Sequence, residues 1–185
     1  MKIITAFKSG GIYNESHVER LRRQVNLASG HDLECICGDF PHWWCKMNIF
    51  QIEGPVLYMD LDTTIVDDLT PLIEAAKDER FITLRDFNYP KRVQSSVMAW
   101  KGDMSHIYEE FIQDPETYMD MYPGGDQSFI DEGNHCPVYW QDILPNSIQS
   151  FKVNVRNSGI HPDCCVVAFH GNPRPWAISE LIKEK

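Results

Sequence analysis

Gly54-Pro-Val-Leu-Tyr-Met-Asp60-Leu-Asp62-Thr-Thr-Ile-Val-Asp-Asp68 decides how the chain is read. Gly54-Pro55 is a loop signal, and Val56 to Met59 is a short apolar run of the length of a buried strand. Such a strand delivers the residues after it to the carboxyl edge of an open sheet, where folds of that kind bind ligands. Asp60 and Asp62 stand one residue apart and share a side in an extended chain. Two hard oxygen ligands there suit Mn²⁺ or Mg²⁺, and such a cation suits a diphosphate.

Three readings of the stretch compete. An acidic turn with helix-capping aspartates needs no chemistry at all. An Asp-x-Asp pair is also the metal site of nucleotide-sugar transferases. Asp60-Leu-Asp62-Thr-Thr64 fits, in addition, the Asp-x-Asp-x-Thr nucleophile loop of haloacid-dehalogenase-type phosphatases. The rest of the chain has to separate them.

Composition narrows the field. At 185 residues the chain is most simply one domain, 1–185, with room for a substantial core. The formal charge is −10, from 17 basic and 27 acidic residues. That balance disfavours nucleic acid or an anionic membrane as the main partner, since both need a basic face. No apolar stretch is long enough for a secretory signal or a membrane span, so a cytoplasmic location is expected. The six cysteines form no pair of Cys-x-x-Cys knuckles and are read as reduced thiols.

Upstream of the central stretch, Lys2 to Phe7 reads as a strand, Gly10-Gly11 as a turn, and Ser16-x-x-Glu19 as a capping box opening a helix with Val18, Leu21 and Val25. Tyr13 lies on that turn, with a flat face suited either to stacking on a base or to covering the sheet edge. Leu33 to Cys37 reads as a second strand. Trp43, Met47 and Phe50 then share one helical face, and Lys46, the lone cation between Arg23 and Lys77, rides on the same helix. Downstream, Asp67 or Asp68 caps a helix with Leu69, Leu72, Ile73 and Ala76. Phe81 to Leu84 and Val93 to Trp100 read as strands, the latter with Ser95 and Ser96 at its centre. Gly124-Gly125-Asp126-Gln127 is a turn feeding a short helix, Gly133 to Gln149 is loop-like, and Cys164 to Phe169 is a buried strand. His170-Gly171-Asn-Pro-Arg174-Pro-Trp176 follows, with the arginine fixed on a stiff turn. Imidazole is an acceptable third ligand for Mn²⁺, and arginine is well made for phosphate oxygens.

The order of these motifs resembles the nucleotide-diphospho-sugar transferases of the GT-A fold, and most of all the family 8 glycosyltransferases such as glycogenin. The likeness runs from Lys2 to Trp176 and rests on the combination of three motifs: Asp60-Leu-Asp62, Gly-Gly-Asp126-Gln127, and His170-Gly-x-x-Arg174-Pro-Trp176. It implies an α/β fold with a mixed, mostly parallel central sheet flanked by helices. It also implies a Mn²⁺-dependent hexosyltransferase that moves a sugar, with retention, from a UDP-sugar to an acceptor the sequence does not name. On this resemblance Asp60, Asp62 and His170 match the metal ligands, and Tyr13 the tyrosine stacked on uracil. Phe7, Leu61, Gln94, Ser95, Gly171 and Arg174 fall against the nucleotide-sugar. Lys46 matches a donor-contacting lysine, and Asp126-Gln127 the pair beside the anomeric carbon. Departures from the pattern are Arg174 where the family has Lys, Gln94 where it has Asn, and a tighter His-Gly spacing. Arginine keeps the charge but grips as a fork. The phosphatase reading leaves His170 to Trp176 unexplained and would place its nucleophile loop after the first strand. A domain that binds nucleotide-sugar without turnover is the non-enzymatic alternative.

Overall fold

The computed structural model describes residues 1–78, 80–133 and 135–178. In chain order its elements are β1 (Lys2–Ala6), α1 (Glu15–Ser29), β2 (Leu33–Ile36), a 3₁₀ helix (His42–Gln51), β3 (Val56–Met59), β4 (Thr63–Ile65), α2 (Thr70–Ala75), β5 (Ile82–Arg85) and β6 (Val93–Trp100). There follow α3 (Ser105–Phe111), α4 (Pro115–Met121), α5 (Asp126–Glu132), β7 (Val138–Tyr139), α6 (Trp140–Ile143), β8 (Ile148–Ser150), a π-helical turn (Phe151–Val155), α7 (Arg156–Ser158), β9 (Val166–Ala168) and a last 3₁₀ turn (Pro175–Ala177).

The main sheet has the order β2-β1-β3-β6-β5-β7. β1 runs parallel to β2 and β3, and β5 parallel to β7, while β6 runs against both of its neighbours. The sheet is therefore mixed and mostly parallel, as expected. β3 and β6 are buried along their whole length, which is why they read as near-continuous apolar runs; Gln94-Ser95-Ser96 is the polar break in β6. α1 and α2 cover one face through Leu21, Val25 and Leu72. The 3₁₀ helix, α3 and α5 cover the other through Met47, Ile107, Phe111 and Phe129. Each such side chain stabilises the fold by roughly 1.5–3 kcal/mol on burial.

A second, smaller sheet, β4-β9-β8, continues from the first. The chain passes from one sheet to the other through residues 60–62. Phe169 N–H donates to the carbonyl of Asp62 at 3.0 Å, so the end of β9 is fastened beside the aspartate turn. That bond brings residue 170 to the same sheet edge as Asp60 and Asp62.

Three local expectations are corrected. The N-cap of α1 is Asn14, not Ser16: Asn14 Oδ1 accepts from Ser16 N–H at 2.9 Å, and His17 Nδ1 accepts from Asn14 N–H at 3.0 Å. The segment around Lys46 is 3₁₀ rather than α, so its periodicity is nearer three than 3.6; Met47 and Phe50 are buried while Trp43 is exposed. Residues 133–149, read as a loop, hold β7, α6 and the start of β8, because Trp140 is fully buried and donates to Val97 O at 3.1 Å.

Candidate active site

β3 ends at the aspartate turn, and the 3₁₀ helix brings Lys46 beneath it. Lys46 Nζ lies 3.0 Å from Asp60 Oδ1 and 2.8 Å from Asp126 Oδ2. It also donates to Ser95 Oγ at 3.0 Å, and Ser95 Oγ donates to Asp126 Oδ2 at 3.0 Å. Burial alone works against the ammonium, but Asp126 and Asp60 outweigh it and hold the lysine pKa above its ordinary value. Asp126 is raised by its own burial, with Lys46 opposing. Tyr58 Oη donates to Asp60 Oδ1 at 2.5 Å. Lys46, read from the sequence as a cation reaching toward a donor, is thus first of all the counter-ion of two carboxylates.

Asp62 is buried and pairs with Arg174, whose Nη1 also donates to Tyr13 Oη at 2.8 Å. Burial, and then Asp60 nearby, push the Asp62 carboxyl above the usual carboxylate range, with Arg174 opposing. The guanidinium stands over the Tyr13 ring, 5.4 Å from its centroid. Trp176 meets Tyr13 edge-on at 5.9 Å and lies against His17 at 3.9 Å. The turn after β9 is in this way seated on the first βα turn. Arg20, which sequence reasoning passed over, fixes the aspartate turn from behind: its Nη2 donates to Leu61 O at 2.7 Å and Thr63 O at 2.8 Å. Its position one residue before buried Leu21, four before Gln24, was the available signal, since it puts the guanidinium at the edge of the apolar stripe of α1.

His170 stacks on Phe87 at 5.5 Å, and its Nε2 shares a 2.6 Å hydrogen bond with Ser150 Oγ. Lys152 Nζ donates to His170 O at 2.7 Å. Burial, and then Lys152, hold the imidazole below its ordinary pKa, which keeps it in the neutral, ligating form at neutral pH. Gly171 has φ +89°, the left-handed region, and a Cβ there would meet Lys152 Nζ at 3.0 Å. Ser150 and Lys152 lie between the 133–149 loop and the Cys164 strand, where the sequence carries no motif, so nothing local announced them.

One cavity of about 600 Å³ joins these groups. Phe7, Tyr13, Lys46, Leu61, Gln94, Ser95 and Gln127 line it together with Asp60, Asp62, Asp126, His170, Gly171 and Arg174. Every site residue assigned from sequence therefore faces the same space. Gln94 turns inward, its Oε1 accepting from Ser96 Oγ at 2.7 Å. Among the described residues no three His, Cys, Asp or Glu side chains are drawn into a ready-made metal cluster. Asp60, Asp62 and His170 are instead each engaged by Lys46, Arg174 and Ser150. A second cavity of about 400 Å³, between Pro71 and Pro162, shares no lining residue with the first.

The fold is a mixed, mostly parallel sheet flanked by helices, with a carboxylate pair at its edge opening on one cavity. Solved glycosyltransferases share it. The glycosyltransferase GlyE of Streptococcus pneumoniae TIGR4 matches at TM-score 0.62 and 15% identity, over 95% of this chain and 56% of its own, so the chain spans little more than half of GlyE. The galactosyltransferase LgtC, solved with donor and acceptor sugar analogs, matches at TM-score 0.62 and 13% identity, over 95% of this chain and 89% of its own. No protein-family model and no curated protein sequence matches the chain. At these identities the likeness is one of fold, and it bears out the fold that the family 8 resemblance implies. Among the described residues no helix is long and apolar enough to cross a membrane.

Proposed function

We propose that this chain is a glycosyltransferase of the hexosyl type, moving a sugar from a UDP-sugar to an acceptor with the help of Mn²⁺ or Mg²⁺. One observation carries the reading: residues from four distant segments, 13, 60–62, 126–127 and 170–174, line a single cavity large enough for a nucleotide-sugar. The donor set fits a hard divalent cation, with two carboxylates and a neutral imidazole on that cavity. Asp60, Asp62 and His170 would hold the ion, which when bound supplies charge neutralisation at the diphosphate leaving group.

The chain's own residues do the rest. Tyr13 offers a ring to the base. Arg174 stands where it can pass from Asp62 to a phosphate oxygen, and a fixed cation of that kind contributes about 3 kcal/mol to a transition state that develops anionic charge. Lys46 and Ser95 hold the Asp126 carboxylate in place beside Gln127, the pair next to the anomeric centre. Retention follows the family 8 resemblance.

The test is a donor panel. UDP-, GDP- and ADP-sugars are incubated with the protein and Mn²⁺, and nucleoside diphosphate release is measured. The expected result is UDP release that chelator abolishes and that Asp62→Asn reduces by at least a hundredfold. Release of inorganic phosphate from small phosphoesters would point to the phosphatase instead. Thermal stabilisation by UDP without any release would identify a binding domain.

A further inference from the structure

Trp43 is 54% exposed, yet its neighbour Trp44 is 5% exposed and stacked on Phe111 at 5.1 Å. Two adjacent indoles of one short helix thus have opposite fates. Trp43 is held in its place rather than left there. His42 before it takes a φ of +52°, the left-handed region that a side chain rarely adopts, and its ring lies 5.9 Å from the indole. On the other side the indole rests on Gly125, at φ +87°, where an added Cβ would run into Trp43 Nε1. Gly125 is the residue from which Asp126 and Gln127 spring, so the indole is seated on the turn that carries the pair assigned to the anomeric centre.

Trp43 also lines the large cavity. Of the other aromatic side chains on the cavity, Tyr58 is 1% exposed and bonded to Asp60, and Tyr13, the ring assigned to the base, carries Arg174 over it and Trp176 edge-on. A broad apolar plate, open to solvent in a cavity that Gln127 and Asp126 also line, is a ligand surface. A pyranose has the complementary shape. One of its faces presents C–H bonds to an indole, and its rim presents hydroxyls to groups such as Gln127 and Asp126.

We propose that Trp43 is the acceptor platform and that the acceptor is a pyranoside, stacked on the indole with its rim toward Gln127. This rests on the transferase reading above, and the test separates the two. Methyl galactopyranoside, methyl glucopyranoside and their disaccharides are titrated onto the full chain, and binding is followed through the Trp43 indole N–H resonance and by saturation transfer. Trp43→Ala and Trp43→Phe are compared, with folding checked by melting temperature and UDP affinity measured by calorimetry. The expected outcome is saccharide binding, and an acceptor KM, weakened at least tenfold in Trp43→Ala and largely restored in Trp43→Phe, with UDP affinity within twofold of the wild type. Saccharide binding through Trp43 in a protein that never releases UDP would uphold the platform and overturn the transferase. UDP release with saccharide binding indifferent to Trp43, or transfer to hydroxyl-bearing peptides alone, would overturn the platform and leave the transferase standing. A parallel loss of UDP affinity in Trp43→Ala would also overturn it, by turning the indole toward the nucleotide.

Discussion

Lys46 is where residue-level reading and structure part most usefully. From the sequence it is a lone cation on an aromatic helix, free to meet a ligand. In the fold it is 5% exposed and lies within salt-bridge distance of both Asp60 and Asp126. The difference comes from the sheet, which puts β3 beside β6 and α5 over it; no spacing within 40–50 encodes that neighbourhood. Removing one member of such a buried group leaves the others uncompensated, at a cost of about 3–5 kcal/mol. Lys46→Met, close in shape but without charge, is therefore expected to lower unfolding free energy by about 3 kcal/mol in denaturant titration. A loss under 1 kcal/mol would mean that the two carboxylates do not depend on it. Arg20 makes the converse point: it carries no motif, yet two carbonyls of the aspartate turn accept from it.

At the scale of elements, the strands were legible and the caps less so. β3 and β9 announce themselves because burial on both faces demands uninterrupted apolar side chains, and β6 does so around its Gln94-Ser95-Ser96 break. The start of α1 was misplaced because Ser16 and Glu19 have the right spacing for a capping box, while the geometry is made by Asn14 and His17 two residues earlier. Histidine at the third helical position is an unusual partner, so the pattern that fits the common rule hid the one in use. Asn14→Ala is expected to cost about 1 kcal/mol of stability and Ser16→Ala a few tenths, a contrast that chemical denaturation resolves. The loop between α5 and β7 carries a second expectation. Burial, and then His106 at 3.3 Å, hold His135 down at about 4 against 6.5 in the unfolded chain. Between those values the unfolded chain takes up a proton that the folded ring refuses, so stability falls as pH drops from 6.5 to about 4 and levels off below. With the ring half-buried, the loss is on the order of 1–2 kcal/mol. Subtracting the pH profile of His135→Gln from that of the wild type isolates it; identical profiles would refute the assignment.

The molecule as a whole is two sheets joined at the aspartate turn, and the candidate site is the seam. Its main-sheet half was readable, because a strand that ends in Asp60-x-Asp62 states both where it lies and what it presents. The half supplied by β8 and the π-helical turn was not, because Ser150 and Lys152 acquire their roles through His170, twenty and eighteen residues away. What holds the seam together is Arg174, which ties the segment after β9 to Asp62 and to Tyr13. On the proposed function the same guanidinium would compete with a metal ion for Asp62, and this predicts opposite effects from one substitution. Arg174→Gln strips a buried carboxylate of its partner. The arginine side chain is 21% exposed, so the cost is about 2 kcal/mol rather than that of a fully buried pair, a melting temperature roughly 5 °C lower. Mn²⁺ then finds Asp62 vacated, and its stabilising increment in a thermal melt is expected to be larger in the variant than in the wild type. UDP, which on the proposed function binds through the arginine, is expected to stabilise the variant less than the wild type, where a hundredfold excess over Kd contributes about 2.7 kcal/mol. If Mn²⁺ stabilised both proteins equally while UDP binding fell, Arg174 would be a phosphate ligand and nothing more. If both increments fell together, the turn would matter for the shape of the seam rather than for its charge.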